Sequence, residues 1–170
     1  VDLKQVTIST DGACIGNPGP GGYGVVLRYA GRAKEIAGGF RLTTNNRAEL
    51  HAVIAGLRAL KEPCAVTVVS DSQYVVESMT SGAAQRWRAN GWMRTRKERA
   101  LNPDLWQQLL ELVSTHQVTW TWVKGHAGHP DNERCDRLAL QAAQRPDLPI
   151  DEGYEQPNSL IPSTAPLFED

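Results

Sequence analysis

Four acidic residues stand where acids are uncomfortable. Asp11 closes the alternating run 4–10 (KQVTIST), immediately before Gly12. Asp71 closes the near-continuous apolar run 65–70 (AVTVVS). Glu49 shares a helical row with Val53, Gly56 and Leu60, so it points toward the packed side. Asp136 falls in the second turn of the last helical pattern, beside Cys135 and one turn before Ala139 and Leu140. A carboxylate against a core is costly unless it is paired or bound to metal. Converging anions repel unless a divalent cation lies between them, and an all-oxygen donor set points to Mg²⁺ or Mn²⁺ rather than zinc. Each residue also has a milder reading. Asp11 before glycine suits a turn, Asp71-Ser72 suits a helix cap, and Asp136 can pair with Arg134 or Arg137. Glu49 is the hardest to place that way, and no local spacing rule brings the four together.

Other chemistry-bearing residues sort by pattern. His126, in Gly125-His126-Ala127-Gly128, is a loop histidine able to move and to titrate near neutrality, which suits proton transfer as well as an ordinary surface role. The glycine-rich stretch 12–24 (GACIGNPGPGGYG) lacks the order of a phosphate-binding loop and is followed by a strand pattern. It reads as a turn approaching a ligand closely. His126, His129 and Cys135 lack a fourth zinc ligand and the usual finger spacing. Residues 86–99 hold Arg86, Arg88, Arg94, Arg96, Lys97 and Arg99 against Glu98 alone, with Trp87 and Trp92 between them. Such a segment meets phosphates with charge and sugars or bases with flat rings, or is a solvated helical face with two partly buried tryptophans.

The elements that must position these residues follow from periodicity. Strands are predicted over 4–10, 23–30, 33–42, 65–70 and 117–123, with a tight turn at Ala30-Gly31-Arg32. A helix capped by Asn45 or Asn46 runs to about Lys61, with Leu50, Val53, Ile54, Leu57 and Leu60 as its apolar stripe. Further helices are predicted over 73–80, near 103–114 and from Pro130 to about residue 144. Strand 65–70 is expected to be buried on both faces. The order is that of an α/β domain whose mixed sheet joins an antiparallel meander to later crossovers.

The chain has 170 residues with 18 Lys+Arg and 19 Asp+Glu, a net charge of −1. That total conceals a split. Residues 1–145 hold all 18 basic and 13 acidic residues, a charge of +5 equal to that of segment 86–99 alone. The last 25 residues hold six acidic residues, no basic one and five of the ten prolines. Residues 1–145 are therefore expected to form the domain and 146–170 a mostly disordered acidic tail. In that tail Leu167-Phe168, before Glu169-Asp170, suits a short docking motif, although a solubilising tail is the better reading of the composition. No apolar run approaches the roughly 18 residues of a membrane helix, and none opens the chain as a signal peptide does. Three scattered cysteines argue against a disulfide scaffold and for a reducing, cytoplasmic setting.

Four blocks, ISTDGACIGNPGPGGYG, TTNNRAEL, VVSDSQYV and WVKGHAGHPDNERCDRLA, together resemble the type 1 ribonucleases H, the bacterial ones above all. The resemblance spans residues 3–145 with the blocks in the family's order. It implies a five-stranded mixed sheet flanked by helices, with a basic protrusion. It implies an endonuclease that cleaves the RNA strand of RNA–DNA hybrids, replication primers or transcription-linked hybrids alike, leaving 5′-phosphate and 3′-hydroxyl ends with little sequence preference; a monomer is the default state. Asp11, Glu49, Asp71 and Asp136 would hold two Mg²⁺ ions, with Mn²⁺ as a substitute, Asp11 and Asp71 centrally and Glu49 and Asp136 each at one site. His126 would assist proton transfer or product release, and Glu133 would add an outer contact. Cys14, Asn17, Asn45 and Gln73 would touch the RNA strand, whose 2′-hydroxyls tell it from DNA. Thr44 and Asn102 would hold a DNA-strand phosphate, alongside Trp87, Trp92 and the six basic residues between 86 and 99.

Two departures bear on the DNA strand. Ser81-Gly82-Ala83-Ala84 stands where relatives often carry an aromatic residue, and Leu101 stands where they are often basic. Two other readings share these elements. One is a retroviral-integrase type nuclease or transferase acting on DNA, against which the GHAGH loop and the Trp-bearing basic segment weigh. The other is a hybrid-binding module without catalysis, against which the presence of all four carboxylates weighs.

Overall fold

The structure is a computed structural model and describes residues 2–157. Five strands, β1 (Lys4–Cys14), β2 (Gly19–Tyr29), β3 (Arg32–Thr43), β4 (Cys64–Ser70) and β5 (Gln117–Trp122), form one sheet in the order β3-β2-β1-β4-β5. The β1–β2 and β2–β3 pairs are antiparallel, and β4 runs parallel to both β1 and β5. The β2–β3 turn passes through Ala30 and Gly31 at φ 50° and 77°, the left-handed conformation that a two-residue hairpin requires. The mixed sheet predicted from periodicity is thus present, with the strands of the meander longer than the alternation suggests.

Helices cover both faces. Neighbouring residues of β2 separate them: Val25 joins the large core beside Leu50, Val53, Leu57, Val66, Val68 and Trp106, while Val26 packs with Cys135 and Leu138. The large core is closed by α1 (Asn45–Arg58), α2 (Gln73–Thr80), α3 (Ala83–Ala89) and α4 (Pro103–Val113). The other face carries α5 (Pro130–Ala143) against β1, β2 and β3. Because α5 covers only that half of the sheet, Ala65, Thr67 and Val69 of β4 stay partly exposed, against the expectation of burial on both faces. The cap of α1 is Thr44, whose hydroxyl accepts from the Arg47 amide at 3.2 Å, rather than Asn45 or Asn46. The Asn45 side chain is engaged elsewhere, accepting from the Cys14 amide at 2.9 Å.

Segment 86–99 leaves the body as α3 followed by a loop closed on itself. Met93 bridges Arg99, and the Arg94 amide donates to the Glu98 carbonyl at 2.8 Å. The boundary expected at residue 145 falls too early. The Arg41 amide donates to the Pro149 carbonyl at 2.9 Å, Asp151 is 2% exposed, and α6 (Glu152–Glu155) follows it. Composition could not reveal this, because it does not show that Glu155 pairs with Arg41 and Asp151 with Arg47 of the body. The docking motif at Leu167-Phe168 lies outside the described residues.

Candidate active site

The parallel β1–β4 ladder ends at Thr10 opposite Ser70, whereas β1 continues to Cys14 against β2. Asp11 and Asp71 follow that last pair directly, so Asp11 lies within its strand and not at its end. Glu49 reaches them from α1 because Gly12 lets the helix lie on the strand. A Cβ on Gly12 would stand 2.4 Å from the Ala48 carbonyl carbon and 2.4 Å from the Glu49 nitrogen. The Gly12 amide donates to both Asp11 Oδ1, at 2.9 Å, and Glu49 Oε1. Asp136 arrives on α5, which sits on Gly22 and Gly24. A Cβ there would lie 2.1 Å from the Ala139 carbonyl oxygen and 2.3 Å from that of Cys135.

Ligand atoms of Asp11, Glu49 and Asp71 all lie within 4.8 Å of one another. Asp136 is outside that triplet but lines the same open cavity of about 510 Å³, together with His126, Cys14, Asn45 and Gln73. Asp11 and Glu49 are 6% and 8% exposed. Burial raises the proton affinity of Asp11. The Glu49 hydrogen bond acts against that shift, while the charges of Asp71 and Asp136 add to it. Burial likewise raises Glu49, and the neighbouring Asp11 and Asp71 charges push it further. Among the described residues no Lys or Arg forms an ion pair with any of the three. Oxygen donors converging without an internal cation fit a divalent metal ion.

Two supports of this cluster carry no signal in the sequence. The exposed Trp122 indole donates to the Asp71 carbonyl at 3.0 Å, tying β5 to the residue that follows β4. Gly125 lies so close that a Cβ would meet Asp71 Oδ2 at 2.7 Å. His126 follows at φ 57° and is exposed at the cavity rim. Glu133, in the first turn of α5, is not among the residues lining the cavity.

Three of the four residues expected to touch an RNA strand are linked by hydrogen bonds. The Cys14 amide donates to Asn45 Oδ1 at 2.9 Å, and the Asn45 amide to Asn17 Oδ1 at 3.1 Å. Gln73 is exposed at the start of α2. Burial, with the Asp151 charge adding to it, pushes the Cys14 thiol up to about 11, so it presents a neutral thiol. Thr44 and Asn102 meet through one residue. Arg47 gives its amide to Thr44 Oγ1 and its Nη1 to Asn102 Oδ1 at 3.3 Å. Arg47 is 2% exposed, and its place on the α1 stripe, three residues before Leu50 and seven before Ile54, is the one sequence signal that marks it.

The basic segment divides. Arg86, Arg88, Arg94, Arg96, Lys97 and Arg99 are exposed, Arg94 in an ion pair with Glu98. Trp87 is partly buried, edge-on to Trp106 at 5.8 Å. Trp92 is 5% exposed and belongs to the large core. The expectation that Trp92 offers its ring to a ligand is therefore corrected. Its backbone accepts from the Ala100 amide at 2.9 Å and fastens the base of the loop.

The RNase H family profile matches residues 3–144. A ribonuclease H of Desulforamulus reducens is 63% identical over 150 residues, covering 88% of this chain and 94% of its own. Among solved structures, LC9-RNase H1, a type 1 RNase H with the type 2 active-site motif, superposes with a TM-score of 0.76 at 34% identity, covering 98% of this chain and 85% of its own. LC11-RNase H1, solved in complex with an RNA/DNA hybrid, shares the fold with a TM-score of 0.63 at 24% identity, covering 81% of this chain and 96% of its own.

Proposed function

The chain belongs to the ribonuclease H family, and from that membership and its carboxylate cluster we propose that Asp11, Glu49, Asp71 and Asp136 are its catalytic residues. The enzyme is an endonuclease that hydrolyses the RNA strand of RNA–DNA hybrids. The observation that carries the site assignment is the convergence of Asp11, Glu49 and Asp71 within 4.8 Å in the lining of an open cavity that Asp136 also lines. The cluster is consistent with use of a divalent metal ion, which we assign as two Mg²⁺ ions, replaceable by Mn²⁺. Asp11 and Asp71 would be central ligands, and Glu49 and Asp136 would each complete one site. Bound there, the pair supplies activation of the attacking water and stabilisation of the leaving 3′-oxygen.

The remaining work belongs to the chain. The Gly12 amide aims Asp11 and Glu49 at one point, and Trp122 holds the Asp71 backbone. His126, exposed at the rim, would assist proton transfer or product release. Cys14, Asn17, Asn45 and Gln73 would read 2′-hydroxyls in the shallow groove of the RNA strand. Thr44 and Asn102 would take a phosphate of the DNA strand, with Trp87 and the basic residues of segment 86–99 extending the contact. Backbone and sugar contacts imply little sequence preference. A cytoplasmic monomer is the corresponding cellular form. No helix among the described residues is long and apolar enough to cross a membrane. Asp71→Asn tests the assignment: cleavage should fall by about a thousandfold or more while hybrid affinity is retained. Full activity of that variant would overturn it.

A further inference from the structure

Arg47 is a buried hub. Its guanidinium donates to Asp151 through Nε at 2.8 Å and Nη2 at 2.9 Å, and to Asp104 through Nη1 at 2.9 Å and Nη2 at 2.7 Å. The same Nη1 reaches Asn102 Oδ1 at 3.3 Å. Asn102 precedes α4 at φ 59°, and its Nδ2 donates to the Tyr74 hydroxyl at 3.1 Å. Asp151 also accepts from Thr43 Oγ1 at 2.7 Å. One carboxylate from the C-terminal segment therefore aligns the end of β3, the start of α1 and the residue that opens α4. A planar guanidinium held bidentate on two sides has no rotational freedom left. Its third contact, to the Asn102 amide oxygen, is then fixed in direction.

We propose that Asp151 is a positioning residue for substrate: through Arg47 it sets the orientation in which Asn102 meets the phosphate of the DNA strand. The inference rests on the functional reading above and deepens it, because it makes residues beyond the matched span 3–144 part of hybrid recognition. Asp151 touches no substrate itself. Its loss should raise KM for hybrid and leave the chemical step almost unchanged, since the carboxylate cluster is supported separately by Gly12 and Trp122.

The test is steady-state cleavage of an RNA–DNA hybrid by full-length Asp151→Asn, Asn102→Ala and the double variant, at a temperature where circular dichroism shows each folded. Asp151→Asn should raise KM about tenfold with kcat within about twofold, and in the Asn102→Ala background it should add almost nothing. Glu155→Gln, which removes an exposed ion pair to Arg41 on the same segment, should leave both constants unchanged. Thr43→Val removes one hydrogen bond to Asp151 and keeps the side-chain shape. It carries the test, with a smaller KM rise, should Asp151→Asn not fold. An unchanged KM, or an effect that adds in full to that of Asn102→Ala, overturns the proposal while hybrid cleavage by the wild type stands. Failure of the wild type to cleave the hybrid overturns the functional reading instead.

Discussion

Asp11 and Asp71 are the residues that follow the last rung of the parallel β1–β4 ladder, Thr10 opposite Ser70. Parallel strands in register bring their next residues side by side, so two carboxylates meet because the ladder stops beneath them. Open α/β sheets hold ligands at such carboxyl ends. Glu49 joins from a helix that Gly12 allows to touch the strand, and Asp136 from a helix resting on Gly22 and Gly24.

That close approach is testable at Gly12. A methyl group there meets backbone atoms of Ala48 and Glu49, which cannot swing aside as a side chain would. Gly12→Ala should displace Glu49 from Asp11 and reduce cleavage about a hundredfold, the scale of an ångström misplacement in a catalytic constellation. Cleavage rates of the purified, folded variant check this.

Segment 86–99 makes a prediction about salt. Arg88, in the last turn of α3, and Arg96 and Lys97, on the loop fastened by the buried Trp92, are exposed. Replacing all three with alanine should weaken hybrid binding and lower the slope of log K against log salt by about one for each phosphate no longer neutralised. Titration across salt concentrations reads this directly, and an unchanged slope would mark the segment as a solvated face.

Asp151 makes a prediction about acid. Burial alone would raise its pKa, but the hydrogen bonds from Arg47 and Thr43, with His51 Nε2 nearby at 3.3 Å, outweigh burial and hold the carboxyl well below the usual range. Asp104, on the far side of Arg47, is the other acid at this contact, and Glu155, four residues on, pairs with Arg41. A folded pKa below the unfolded value near 3.9 means stability present above about pH 4 and lost as pH falls toward the folded value. Asp151→Asn should lower stability at neutral pH by about 3 kcal/mol, because Arg47 loses one of its two buried partners. Its Tm should then fall less steeply than the wild type's between about pH 4 and pH 2, as thermal melts across that range would show.

The sheet, its helices and the four carboxylates are legible in the sequence because each rests on local pattern: strand alternation, apolar stripes, or an acid on a helical row that faces the core. Glu49 stands out for that last reason. Arg47 lies in line with Leu50 and Ile54 of the same helix, but its partners Asp104 and Asp151 are 57 and 104 residues away, a separation no periodicity reports. The same blindness sets the expected domain boundary too early, since an acidic, proline-bearing stretch looks solvated until its arginines are placed. The charges around Trp92 suggest a ligand contact, whereas a left-handed backbone at φ 65° turns its ring into the core.

Cation-dependent cleavage of RNA within a hybrid is read by one assay. Matched RNA–DNA hybrid, single-stranded RNA, double-stranded RNA and double-stranded DNA are incubated with the enzyme in Mg²⁺ and in excess EDTA. The expected result is cleavage of the RNA strand of the hybrid alone, in Mg²⁺ alone. Robust cleavage in EDTA, or equal cleavage of any of the other three substrates, would contradict it.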